Sequence, residues 1–314
     1  MNNSATLDIS ADAALIRLAQ AVRDTGYSFV TPTPATIARV NARPGAGWAA
    51  DLRGVFGWSR PFRNGVVPPA ILGAMRDAAV LADHPGGHRS LVRLSTLDGE
   101  LFLHSAYPTT AADAVFFGPD TYRFANAILA YRPAAPVTRA VDVGCGAGPG
   151  AILVARAHPG AEVLAVDIND AALRLTRANA ALAGVEVRAV NSNLLGGVDG
   201  DFDLIVANPP YLVDPGERAY RHGGGPLGAG LSLAILDAAL DRLAPGGTLL
   251  LYTGAAVVNG IDPFRDAAAT RLAGMRTDWT YREIDPDVFG EELEGGAYTA
   301  TDRIAAILLT VTKQ

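Results

Sequence analysis

The sequence predicts an α/β protein: a mostly parallel sheet with helices on both faces, preceded by a smaller α+β domain. Three observations predict it. From residue 121 onward, short apolar strands alternate with helical segments, the pattern of parallel crossover units. One of those strands runs into a glycine-rich turn, VDVGCGAGPGA, that opens a helix. Ahead of this region, helical segments are followed by a hairpin signal centred on Asp98-Gly99, where Asp-Gly suits positive φ. The break falls at 112/113, so residues 1–112 form the smaller domain and residues 113–314 the larger one.

In the smaller domain, residues 10–25 read as a helix. Leu15, Leu18 and Val22 recur at helical spacing, Ser10 or Asp12 can cap the start, and Gly26 supplies the stop. Residues 34–42 and 68–82 are further helices, the second opening on Pro68-Pro69, which suits a first turn. DLRGVFGWSRPF between them reads as irregular. Residues 90–95 and 100–104 alternate apolar and polar as paired strands. In the larger domain the expected helices are 121–131, 149–157, 170–182, 229–243 and 262–273. The expected strands are 139–143, 162–166, 185–190, 203–207, 247–252 and 303–312.

A length of 314 residues suits two domains, and 49% hydrophobic with 18% charged residues suits a soluble globular protein with a large core. The net charge of −6 weighs against a nucleic-acid partner without excluding one, since such proteins usually carry a basic face. Arg53, Arg60 and Arg63 read as a solvated surface. The single cysteine, Cys145, excludes an intrachain disulfide and a cysteine-based metal site. MNNSATLDIS has no signal-peptide pattern, and no stretch approaches the ~20 apolar residues that span a membrane. A cytoplasmic protein without a metal is expected. His104, His158 and His222 have no ligand-spaced partners and read as surface or structural residues.

The glycine turn alone fits two kinds of ligand. Gly146 to Ala151 spells GAGPGA, which satisfies the dinucleotide pattern GxGxxA. Asp142 sits inside the strand, where a dinucleotide-binding strand is normally apolar. A buried carboxylate there needs partners, either the turn's own backbone amides or a ligand ammonium reached through water. Asp167 ends the next strand and can accept both hydroxyls of a ribose, which marks an adenosine-type ligand.

FDLIVANPPY is the most specific signal. An apolar strand runs into Asn208-Pro209-Pro210-Tyr211, whose prolines end pairing and stiffen the loop. The Asn208 side chain and the Pro209 carbonyl can aim two acceptors at one spot. A planar amino or amide nitrogen carries two hydrogens in fixed directions and is oriented by such a pair. Tyr211 can stack on the planar group or simply pack the pocket.

Together these residues resemble the class I S-adenosylmethionine-dependent methyltransferases, a Rossmann-like family, over residues 115–314. The resemblance implies that Asp142, Gly144, Cys145, Gly146 and Gly148 form the donor loop and Asp167 takes the ribose. It further implies that Ile168 packs on adenine and Asn193 accepts from the adenine amino group. Asn208 serves both donor and acceptor, and FFGPDTYRFANAIL covers the donor and lines the acceptor pocket, with Phe117, Pro119, Asp120, Thr121 and Tyr122 as the candidate residues. In that segment Asp120 or Thr121 also reads as a helix cap. NPPY with RHGGGPLGAGLSLAILD resembles the protein-glutamine (release factor) branch. This implies catalytic roles for Asn208, Pro209, Pro210 and Tyr211 and a glutamine side chain, in a translation factor for instance, as acceptor. A ribosomal RNA base or a small molecule remains an alternative acceptor, and an NAD(P) oxidoreductase an alternative enzyme. The acidic stretch Glu283–Arg303 reads as a solvated loop or a lid.

Overall fold

The computed structural model describes residues 9–218 and 220–314; residues 1–8 and the Ser10 side chain lie outside what it describes. The chain divides into two compact units, residues 9–119 with Arg177–Val185, and Asp120–Thr176 with Glu186–Gln314.

In the first unit, α1 (Ile9–Arg23) buries Leu15, Leu18, Ala19 and Val22 along one stripe. α2 (Pro34–Asn41) starts on Thr33, whose hydroxyl accepts from the Thr36 N–H at 3.1 Å. The stretch expected to be irregular holds a short helix, α3 (Leu52–Phe56). It is capped by Asp51, which accepts from the Gly54 N–H at 2.7 Å. The helix expected over 68–82 stops early. α4 (Pro69–Asp77) ends before Ala79, which takes a left-handed φ of 55°. The chain then forms β1 (Leu81–His84), paired antiparallel with β2 (Gly87–Ser90) across Pro85-Gly86. That turn has Gly86 at φ 80°, a conformation suited to glycine. β3 (Val92–Leu97) and β4 (Glu100–Ser105) close on Asp98-Gly99 as expected, with Leu97 opposite Glu100. Asn179 fits this unit like an extra rung, accepting from the Leu103 N–H at 2.8 Å and donating to its carbonyl at 3.0 Å.

The second unit runs α5 (Pro119–Ala130), β5 (Arg139–Val143), α6 (Pro149–Ala157), β6 (Glu162–Asp167), α7 (Asp170–Ala183) and β7 (Arg188–Asn191). It continues with β8 (Phe202–Ala207), α8 (Gly230–Arg242), β9 (Leu243–Val257), α9 (Pro263–Leu272), β10 (Thr277–Asp285) and β11 (Arg303–Lys313). Among the described residues seven strands form one sheet in the order β10-β11-β9-β8-β5-β6-β7. The run β9 to β7 is parallel; β10 and β11 are antiparallel. β10 was not among the expected strands. Its TDWTYREID alternates Trp279 and Tyr281, packed on the core, with exposed Asp278, Thr280 and Arg282. β9 outruns its expected span because β11 pairs with it from Thr248 to Val257. Val141, Val143, Leu164, Val166, Ile205, Leu249 and Leu251 fill the sheet's interior. The chain order reverses at β5, which has β6 on one side and β8 on the other. At such a point the carboxyl ends of the strands open a crevice. Gly144 and Asn208 follow paired residues, Val143 and Ala207, and Asp167 ends the neighbouring strand.

Candidate active site

The loop after β5 is held largely by backbone. The Gly144 and Cys145 amides donate to the Val166 carbonyl at 2.8 and 3.1 Å, and the Gly148 amide donates to the Cys145 carbonyl at 2.8 Å. Gly144, Gly146 and Gly148 all take positive φ, a conformation side-chain-bearing residues rarely adopt. At Gly148 a Cβ would also lie 2.9 Å from Thr176 Cγ2. Beside Gly144 the space is open, as a ligand approaching the backbone requires.

Asp142 turns its carboxylate to the helix that follows. Its Oδ2 accepts from the Ala151 N–H at 2.9 Å, in the first turn of α6, where a negative charge is favoured. Burial raises its carboxyl to about 7. Gly150 makes the approach possible, because a Cβ there would sit 2.6 Å from that oxygen. Asp142 thus holds one backbone amide, that of Ala151 at the start of α6. Cys145 is buried with its sulfur 3.4 Å from the Thr176 hydroxyl, and burial pushes its thiol well up, which makes it an unreactive thiol.

Asp167 accepts from the Gly146 N–H at 3.0 Å through Oδ2 and from the Asn169 N–H at 2.9 Å through Oδ1. Each oxygen keeps a lone pair for a further donor. Burial raises its carboxyl and those amides pull it back. Ile168 next to it is 61% exposed, an apolar surface beside a hydroxyl-binding carboxylate. Asn193 is exposed beyond β7, next to Ser192, whose hydroxyl is spent on Leu194 and Gly197. An open glycine turn, a carboxylate with spare acceptors and an uncovered apolar side chain fit an adenosine-bearing ligand.

At the end of β8, Asn208 is half-buried. Among the described residues, neither its side-chain amide nor the Pro209 carbonyl makes a hydrogen bond. Tyr211, in contrast, is fully engaged. Its hydroxyl donates to Asp120 Oδ2 at 2.8 Å, and its ring lies on Gly254 and edge-on to Phe289 at 5.7 Å. Tyr211 therefore packs the pocket wall instead of offering a free stacking face. Asp120 does not cap α5, as one sequence reading had it. It also accepts the Tyr252 hydroxyl at 2.7 Å and Arg123 at 3.2 Å through Oδ1, and Arg123 reaches on to Asp285 at 2.7 Å. Burial raises the Asp120 carboxyl, opposed by these donors. Thr121 is buried on the same helix. Phe117 belongs to the first unit, where it stacks on buried His104 at 4.9 Å.

Beyond Tyr211 the loop folds back on itself. The Gly223 N–H donates to the Leu212 carbonyl at 2.8 Å, and Arg218 grips Asp214 through Nε at 2.9 Å, which holds that carboxyl down at about 2. The stretch Glu283–Arg303 is not simply solvated. Tyr298 is buried, its hydroxyl accepts from the Val213 N–H at 2.9 Å, and Glu292 pairs with Arg221.

The family described as Methyltransferase small domain matches residues 111–257. The release factor glutamine methyltransferase of Deinococcus radiodurans is 35% identical over 64% of this chain and 72% of that protein. The one from Bordetella pertussis is 33% identical over 64% of this chain and 76% of that protein. Among solved structures, Trm5 of Methanocaldococcus jannaschii, in complex with adenosine, superposes with a TM-score of 0.50 at 17% identity. The match spans 74% of this chain and 59% of Trm5, a likeness of fold. These relatives do not favour the oxidoreductase reading of GAGPGA.

Proposed function

This chain belongs to the release factor glutamine methyltransferase family and uses S-adenosylmethionine as methyl donor, and we propose that its acceptor is a glutamine side-chain amide of a translation release factor. The observation that carries the reading is that, among the described residues, the Asn208 amide at the end of β8 and the Pro209 carbonyl beside it make no hydrogen bond, while the neighbouring Tyr211 is tied down. A site that fixes everything around two free acceptors is arranged to receive two donors.

The residues proposed to hold the donor are Asp167 for the ribose hydroxyls, Ile168 for the adenine face, the backbone of Gly144 to Gly148, and Asn193 for the adenine amino group. Bound there, the donor supplies a methyl group on a sulfonium sulfur. The chain's task is to make a poor nucleophile react, since an amide nitrogen's lone pair is delocalised. Asn208 Oδ1 and the Pro209 carbonyl accept its two N–H groups and favour charge building on nitrogen as it leaves the amide plane. Pro210 stiffens the loop that holds them. With the donor bound, it would give up its methyl group to the held amide nitrogen and leave as a neutral thioether, and the nitrogen would then release its proton to water. No side-chain base is needed. Holding the nitrogen in line is worth several kcal/mol, up to ~7–11.

The test is to incubate the protein with a bacterial release factor and methyl-labelled S-adenosylmethionine, then map the label by mass spectrometry. Label on one glutamine is expected. Label on RNA or on a small molecule, with none on protein, overturns the reading.

A further inference from the structure

Tyr211 is held from two independent directions. Its ring lies so close on the β9 backbone that a Cβ on Gly254 would sit 2.1 Å from ring Cδ2. Its hydroxyl goes to Asp120, 91 residues earlier in the chain. Tyr252, two residues from Gly254 on the same strand, sends its own hydroxyl to the other oxygen of Asp120. One buried carboxylate thus ties the NPPY loop to β9, with Tyr211 seated on the strand and both phenols closed on Asp120. Arg123, one turn further along α5, adds a third donor to the carboxylate and is braced by Asp285 at the end of β10. Tyr211, Tyr252 and Arg123 all donate to Asp120, which uses both oxygens as acceptors.

We infer that Asp120 is a positioning residue for methyl transfer: through the Tyr211 and Tyr252 hydroxyls it fixes the NPPY loop, and so the direction in which Asn208 Oδ1 and the Pro209 carbonyl point. Asp120 touches neither of those acceptors; it acts through Tyr211, three residues beyond Asn208. The acceptor pair is useful only if both oxygens meet two hydrogens set by a planar amide, and a displacement of about 1 Å costs about a hundredfold in rate. A polar clasp suits this task better than apolar packing, because hydrogen bonds fix direction as well as distance. The inference rests on the proposed transfer to nitrogen for its kinetic arm alone.

The experiment uses the full chain with Tyr211→Phe, Asp120→Asn and both together. Tyr211→Phe keeps the ring on Gly254 and removes one bond, so kcat should fall roughly tenfold. Asp120→Asn leaves one phenol facing an NH2 donor and should lower kcat by up to about a hundredfold. The double variant should be no worse than Asp120→Asn, because both act through the same bond. Calorimetric affinity for S-adenosylhomocysteine should stay within about twofold throughout, since the donor loop is untouched. Amide hydrogen exchange at Leu212 and Val213 should quicken in Asp120→Asn while Leu153 in α6 stays protected. That measurement needs no acceptor, so a wrong acceptor and a wrong clasp are told apart. Wild-type kcat in Tyr211→Phe, multiplicative losses in the double variant, or unchanged exchange at 212–213 would each overturn the inference.

Discussion

At the ends of β5 and β6 the polar groups are held by backbone amides of the two strand-end turns: Asp142 by Ala151, Asp167 by Asn169 and by Gly146 in the loop after β5. At the end of β8 the holding is done by side chains from far along the chain. Asp120 comes from α5, Tyr252 and Gly254 from β9, and Phe289 and Tyr298 from the stretch between β10 and β11. The first construction tolerates change in side chains that do not touch it but not in backbone conformation. The second tolerates neither a lost hydroxyl nor an added methyl. The donor half and the acceptor half should therefore fail separately.

The sharpest way to break this separation is at Gly254. A methyl there would overlap the Tyr211 ring on two atoms, 2.1 and 2.2 Å away, and one of the two must move. Gly254→Ala should lower methyl transfer by about a hundredfold or more, with affinity for S-adenosylhomocysteine within a few-fold of wild type. Wild-type turnover in this variant would show that Tyr211 has room the geometry denies. Gly148→Ala is the matching lesion in the donor half. It puts a side chain at φ 84° and 2.9 Å from buried Thr176. A loss of about 1–3 kcal/mol in stability and about tenfold in donor affinity is expected. Unaltered calorimetry and denaturation would mean that the turn relaxes freely.

The smallest effect concerns pH. With its carboxyl raised to about 7, Asp142 in the folded chain keeps a proton that the unfolded chain, near 3.9, gives up. Between about pH 4 and 7 folding takes up that proton, so this residue's contribution to stability falls as pH rises through the window and levels off above it. Asp142→Asn keeps an acceptor for the Ala151 N–H and does not titrate. The wild-type Tm should fall relative to the variant's as pH rises from about 4 to about 7. Parallel curves would place the carboxyl's titration elsewhere.

The same contrast explains what could be read from the sequence. Asp142, Gly144, Gly148 and Asp167 announce themselves because each stands at a strand end or in the glycine turn that follows a strand, and NPPY is legible for the same reason. Asp120 reads equally as a helix cap until β9 brings Tyr252 and Gly254 beside it, and nothing in FFGPDTYRF encodes a partner 91 residues away. Tyr211 could be a stacking ring or a packing ring on local grounds, and Gly254 decides between them. β10 is hard to read because Trp279 and Tyr281 alternate with the polar Asp278, Thr280 and Arg282, an edge-strand pattern weaker than the continuous apolar runs of β5 and β8. The helix expected over 68–82 runs too long because Ala78 and Ala79 continue a helical composition, whereas Ala79 takes the left-handed φ that stops α4 and the chain goes on into β1.

The claim most exposed to a single measurement is that Asn208 serves the acceptor and Asp167 the donor. Calorimetry with S-adenosylhomocysteine and methyl-transfer assays on Asn208→Ala and Asp167→Ala, run side by side, test it. Asn208→Ala should lose about 10²–10³-fold in transfer and keep donor affinity, while Asp167→Ala should weaken donor binding by tenfold or more, at about 1.4 kcal/mol per tenfold. Donor affinity lost in Asn208→Ala, or transfer retained in it, would contradict the account.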